Sequence, residues 1–117
     1  MPEAGNYRIL NLDRLRDSAG GDPELVRELI DLYVESTDSQ LPALAEAVST
    51  GDGEASRNVA HGIKGASAAM GAEEAAEAFR QLEVLGRGGE TAGLPEALRI
   101  AQQAYGRARE QLRGVAA

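Results

Sequence analysis

Near its C-terminal end the chain sets Leu94, Leu98, Ala101, Tyr105, Ala108 and Leu112 at alternating steps of four and three residues. That interval returns to one side of an α-helix and fits no strand, whose side chains alternate faces every residue. The rhythm runs through the rest of the 117 residues. It appears as Leu25, Leu29, Leu32 and Tyr33, continued through Thr37 to Leu41, Leu44 and Val48; as Val59, Ile63, Ala66 and Met70; and as Ala75, Ala78, Leu82 and Leu85, with Phe79 at the edge. No alternating stretch and no internal repeat interrupts it. Aromatic residues are only 3% of the chain, so the core has to be aliphatic and rich in alanine, which suits closely approaching helices.

The breaks between these stretches carry helix-start and helix-stop chemistry. Asp22 can cap a helix that Pro23 opens, and Glu24 complements its dipole. The GDG at 51–53 is a turn with Asp52 as the next cap. Gly71 can close a helix in the left-handed conformation. The longest loop signal is GRGGETAG at 86–93, after which Pro95 opens the last helix. Residues 23–50 read as one long helix kinked near Pro42, or as two separate helices. A short helix near 12–18 is expected to lie across one end. The fold class is therefore all-α: an antiparallel four-helix bundle with a short additional N-terminal helix, in one domain spanning 1–117 with its core at about 9–113.

Composition removes several functions. Nineteen acidic against twelve basic residues give a net charge of -7, the wrong sign for displacing counterions from nucleic acid. The absence of cysteine removes disulfides, thiolate metal sites and thiol nucleophiles. No segment approaches the ~20 apolar residues that span a bilayer, and the N-terminus lacks a signal-peptide core. A cytoplasmic protein that binds neither nucleic acid nor membrane is expected.

The single histidine, His61, lies in AHGIKGASAAMGA at 60–72. At about 100° per residue, the stripe of Val59, Ile63, Ala66 and Met70 occupies about 60° of arc, and His61 falls about 170° from its centre. The imidazole is thus expected in solvent, sharing the outer half of the helix with Arg57, Lys64, Gly65 and Ala68. Gly62 and Gly65 each cost a helix interior about 1 kcal/mol relative to alanine. Together with Ala68 they leave the imidazole clear for a bulky partner; Gly62 can alternatively serve packing against a neighbouring helix. A neutral imidazole is a nucleophile at cellular pH. Lys64, one turn on, would attract an anion attached to it, such as a phosphoryl group.

His61, Ile63, Lys64, Gly65, Ser67, Met70, Gly71 and Ala72 together resemble the signature H-x-(apolar)-K-G-S/A-S-x-x-(apolar)-G-A of histidine-containing phosphotransfer (HPt) domains. GGDPELVRELIDLYVES and LEVLGRGGE resemble the family's flanking helices, and the resemblance covers about residues 9 to 112. It implies that His61 is the phosphorylated residue, that Lys64 stabilises the phosphoryl group, that Gly65 admits the partner and that Ser67 gives local support. Ala66 stands where many members have a serine, and Tyr33 where phenylalanine is common. Placed on the core stripe, Ala66 is expected to matter little to the chemistry. On the following helix, Arg80, Glu83 and Arg87 recur at three- and four-residue spacing opposite the stripe of Ala78, Leu82 and Leu85. The family places polar residues of this region beside the histidine, so these three join Arg57, Gly62 and Ala68 as candidate partner-binding residues. An ordinary solvated face is the alternative for each.

The expected function is phosphoryl transfer between His61 and aspartates of receiver domains in two-component signalling, with response-regulator receivers and a sensor (hybrid) histidine kinase as partners. No G-x-x-x-x-G-K-[ST] loop is present, so a monomeric phosphocarrier without its own ATP site is expected rather than an enzyme. It needs no cofactor or metal of its own, because the receiver brings the Mg²⁺. The alternative is a non-phosphorylated helical module that competes for receivers or kinases.

Overall fold

The structure is a computed structural model and describes residues 7–117. Five α-helices follow one another: α1 (Leu12–Ser18), α2 (Pro23–Ser49), α3 (Gly53–Ala69), α4 (Glu73–Arg87) and α5 (Leu94–Ala116), the last preceded by a 3-10 turn at Thr91–Gly93. The long helices α2 to α5 form an antiparallel bundle in which α3 packs on α2 and α4, and α5 closes the ring against α4 and α2. None of the helices among the described residues is long and apolar enough to cross a membrane.

The caps read from sequence do their work. Asp22 accepts from the amides of Glu24 and Leu25, and Asp52 from that of Ala55. Helix α2 continues through Pro42, so the one-helix reading of 23–50 holds. A proline removes only its own amide from the ladder. Gly71 has φ +76°, and a Cβ built there would collide with the carbonyl of Asn11. The two residues are also bonded, Asn11 N–H donating to the Gly71 carbonyl at 2.7 Å.

Helix α1 is fastened across the α3–α4 corner. Ser18 Oγ donates to the Ala69 carbonyl at 2.6 Å, and Asn11 Nδ2 donates to Glu73 Oε2 at 2.8 Å. Helix α4 has no side-chain cap; the amide of Glu74 instead donates to the carbonyl of Arg8 at 2.9 Å. A segment distant in sequence thus satisfies a helix start that lacks a local cap.

The α5 stripe from Leu94 to Leu112 is buried throughout. Three other stripes are turned relative to expectation. On α2, Val26 and Ile30 fill the core, while Leu25 and Leu32 are exposed. On α3 the buried residues are Ser56, Ala60, Ile63 and Ser67, running on to Met70; Val59 is half-buried and Ala66 is exposed. On α4, Phe79 is wholly buried rather than marginal, and Leu85 is only partly buried. Gly86 and Arg87, read as the start of a loop, belong to α4. A Cβ on Gly86 would lie 2.5 Å from the Gly53 carbonyl and 3.1 Å from the Cβ of Arg57, so this glycine lets α3 and α4 cross at backbone contact.

Candidate functional site

The turned stripe on α3 decides where its polar face points. Measured from the residues actually buried, His61 lies about 140° from the core direction and Lys64 about 80° away, both on the side toward α4. His61 remains in solvent, its side chain 65% exposed. Yet it sits at the edge of the α3–α4 seam rather than at the crest of the helix.

Across that seam stands Glu83. Its side chain is 3% exposed, and both carboxylate oxygens are engaged. Lys64 Nζ donates to Oε1 at 2.8 Å; Oε2 lies 2.5 Å from His61 Nδ1 and accepts from Arg87 at 3.2 Å. The bond from Lys64 holds the Glu83 carboxyl below the usual carboxylate range, helped by His61 and opposed by burial. An ionised carboxylate can only accept, so the hydrogen between Glu83 and the ring belongs to Nδ1, which donates. The lone pair of the neutral imidazole is then on Nε2. A carboxylate behind a histidine fixes both its tautomer and its orientation.

Around the ring the surface is bare. Apart from its chain neighbours and its own helix backbone, no atom of the described residues lies within 4 Å of a Cβ built on Gly65, and one built on Gly62 meets only Gln40 Oε1, at an ordinary 3.9 Å. Packing therefore demands glycine at neither position, and the packing alternative for Gly62 falls. Ala66 and Ala68 are exposed beside them. Neither of these two helix-interior glycines is thus required by the fold.

Ser67 lies elsewhere. It is fully buried and shares a 2.7 Å hydrogen bond with the Tyr33 hydroxyl on α2. Burial pushes the Tyr33 phenol up to about 12, so it is a neutral hydroxyl throughout the physiological range. Tyr33 packs edge-on against Tyr105 of α5, ring centroids 5.8 Å apart, and Tyr105 in turn donates to Asp38 at 2.7 Å. Ser67 ties α3 to α2 from within the bundle. Its partner is the hydroxyl that phenylalanine at position 33 would lack.

Of the residues named on α4, Glu83 is buried beside His61, which rules out for it the alternative of an ordinary solvated face. Counting Phe79 and Gly86 into the α4 stripe in place of the partly buried Leu85 brings Glu83 from about 120° to about 85° of its centre, the signal that would have found it. Arg87 reaches the cluster through Glu83. Arg80 does not join them, because its Nε is held at 2.9 and 3.0 Å by the carboxylate of Glu77 one turn earlier. Glu77 was missed, although its three-residue spacing to Arg80 is the signal for such a pair. Arg57 is half-buried at the α3–α4 crossing.

The site is thus an exposed imidazole whose Nδ1 is anchored, whose Nε2 has no partner among the described residues, and which has cations one turn away on one helix and across the seam on the other. That arrangement suits accepting a small anionic electrophile from a large partner.

"Sensor protein EvgS" of Escherichia coli is 27% identical over 81 residues, which are 69% of this chain but only 7% of that protein. The crystal structure of histidine-containing phosphotransfer protein B (HptB) from Pseudomonas aeruginosa matches with a TM-score of 0.84 at 26% identity, covering 91% of this chain and 92% of that one. The Hpt domain model matches residues 28–115, which include the whole His61–Glu83 cluster. The chain belongs to the Hpt domain family.

Proposed function

We propose that this chain is a phosphorelay carrier in which Nε2 of His61 takes a phosphoryl group from the aspartyl phosphate of one receiver domain and delivers it to the aspartate of another. The observation that carries the reading is the 2.5 Å contact of His61 Nδ1 with the buried carboxylate of Glu83, which leaves Nε2 as the free nucleophile of a side chain 65% exposed. Nε2 attacks phosphorus in line, the aspartyl oxygen departs with the electron pair of the broken P–O bond, and Nδ1 keeps its proton. Lys64, already at the seam, neutralises charge on the transferred group. Gly62, Gly65 and Ala68 leave room for the receiver, and Arg57 and Arg87 border its approach.

Catalysis in this scheme is positioning and charge neutralisation, with Mg²⁺ supplied by the receiver. The chain acts as a monomeric cytoplasmic carrier with no ATP site, and a sensor histidine kinase stands upstream of its receivers. Incubation with a phosphorylated receiver and Mg²⁺ should place acid-labile, base-stable label on His61 and none on a His61→Gln variant. Receiver binding without label, across the receivers of the host cell, would instead favour a non-phosphorylated competitor.

A further inference from the structure

In a phosphoimidazole the leaving group is the ring itself. With a proton on Nδ1 it departs as neutral imidazole; without one it must depart as imidazolate, a far poorer leaving group. A free phosphohistidine therefore grows more stable as rising pH strips that proton.

On the reading of His61 as the phosphorylated residue, the geometry points to Glu83 as the positioning residue that keeps the phosphorylated ring protonated at Nδ1, and so keeps the carried phosphoryl group labile. Nδ1 and Glu83 Oε2 are 2.5 Å apart, too close for a water between them. Removing the Nδ1 proton would set a ring lone pair directly against an oxygen of an ionised, buried carboxylate. The charged groups along this seam include Arg57 and Lys64 on α3 and Glu83, Arg87 and the more distant, Glu77-bound Arg80 on α4, while α2 presents neutral Gln40 at the Gly62 side. Lys64 and Arg87 disfavour a cationic ring, but both are bound to the same carboxylate, and among the described residues only Glu83 is bonded to Nδ1. A charge-assisted bond at contact distance outweighs them.

Onward transfer then needs no proton movement at the ring. The P–Nε2 bond breaks, its electron pair stays on Nε2, and phosphorus bonds to an acceptor oxygen. The ring returns to the neutral Nδ1–H form still bonded to Glu83. With water as acceptor the other product is dihydrogen phosphate. Such a site passes phosphate on quickly and stores it poorly.

The test uses the full chain phosphorylated with phosphoramidate, a small-molecule phosphoryl donor to imidazoles, and freed of the reagent. Loss of phosphorus is followed by ³¹P NMR from about pH 6 to 9 for the wild type and for Glu83→Gln, whose neutral amide accepts the Nδ1 bond more weakly. The wild-type rate should stay nearly level across that range. That of Glu83→Gln should fall, by about tenfold per pH unit once Nδ1 titrates. ¹⁵N spectra of the phosphorylated wild type should retain Nδ1–H at pH 8, a readout that does not depend on the variant folding. Coincident pH profiles, or loss of the Nδ1 proton below pH 8 in the wild type, would overturn the role given to Glu83 while leaving His61 as phosphoacceptor. No phosphorus on His61 at all would overturn both.

Discussion

Glu83 of α4 and His61 of α3 stand 22 residues apart in sequence and 2.5 Å apart in space, and the 3% exposed carboxylate of one fixes the free nitrogen of the other. Nothing in the helix that carries His61 does this. Phosphoryl acceptance should therefore depend on the seam between the two helices as much as on the imidazole. Replacing Glu83 by alanine should slow phosphoryl acceptance from a receiver by about tenfold to a hundredfold, the usual range for removing an orienting partner. Stopped-flow transfer kinetics would measure it; an unchanged rate would remove Glu83 from the mechanism.

The same carboxylate links folding to pH. Its folded-state pKa lies below the ordinary 4.5, held there chiefly by Lys64. A depressed carboxylate stabilises the fold above its unfolded pKa, and that contribution disappears as pH falls through the folded value. Thermal midpoints of the wild type should thus drop on acidification below about pH 4.5. Glu83→Gln should show a shallower drop, being less stable near neutrality and closer to the wild type in acid. Parallel curves would show that the cluster adds no pH-dependent stability.

Lys64 is bound into the cluster through Glu83, and its side chain is partly solvated, at 29% exposure. Lys64→Ala should slow transfer clearly and also lower stability by about 1 to 3 kcal/mol, because it leaves the buried Glu83 carboxylate without its chief partner. Transfer kinetics beside a urea titration separate the two effects. Wild-type kinetics in a folded variant would leave Lys64 a structural partner of Glu83 only.

The glycines should separate cleanly by what a Cβ would meet. Gly65→Ala should stabilise the chain by about 0.5 to 1 kcal/mol, because alanine is the better helix former and the position is open. Gly65→Trp should fold normally yet lose receiver binding, measured by calorimetry; retained affinity would show that partners do not approach this face. Gly86→Ala, in contrast, should lose about 1 to 3 kcal/mol, since the methyl group collides with the Gly53 carbonyl.

Tyr33 and Ser67 share one buried hydrogen bond. Either Tyr33→Phe or Ser67→Ala should cost about 1 to 3 kcal/mol by leaving the other hydroxyl unsatisfied. The double variant should cost less than the sum of the two, as measured in a double-mutant cycle. Strict additivity would mean that the hydroxyls are not coupled.

Local interactions made much of this protein legible in its residues. Asp22, Asp52 and Gly71 mark helix ends by chemistry that acts within one turn, so the elements fall where the caps and glycines place them. The four-three spacing of α5 identifies its buried face residue by residue, and the outward direction of His61 survives an error of about 50° in the assumed stripe. The signature from His61 to Ala72 is equally local, which is why the family could be read from it.

Rotation and register between helices were decided by the fold. Leu25 and Leu32 give way to Val26 and Ile30, and Ala66 gives way to Ser67, because a helix with apolar or small residues on several sides turns to whichever face its neighbours fill best. Ser67 can be buried only because Tyr33 of another helix meets its hydroxyl. Glu83 can be buried only because Lys64 and His61 approach from across a seam whose closeness depends on Gly86 against Gly53. The periodicity of a chain specifies which residues share a face, because that depends on backbone geometry alone. Which faces meet depends on volumes and charges contributed by residues far away in sequence, and only the packed bundle brings those together.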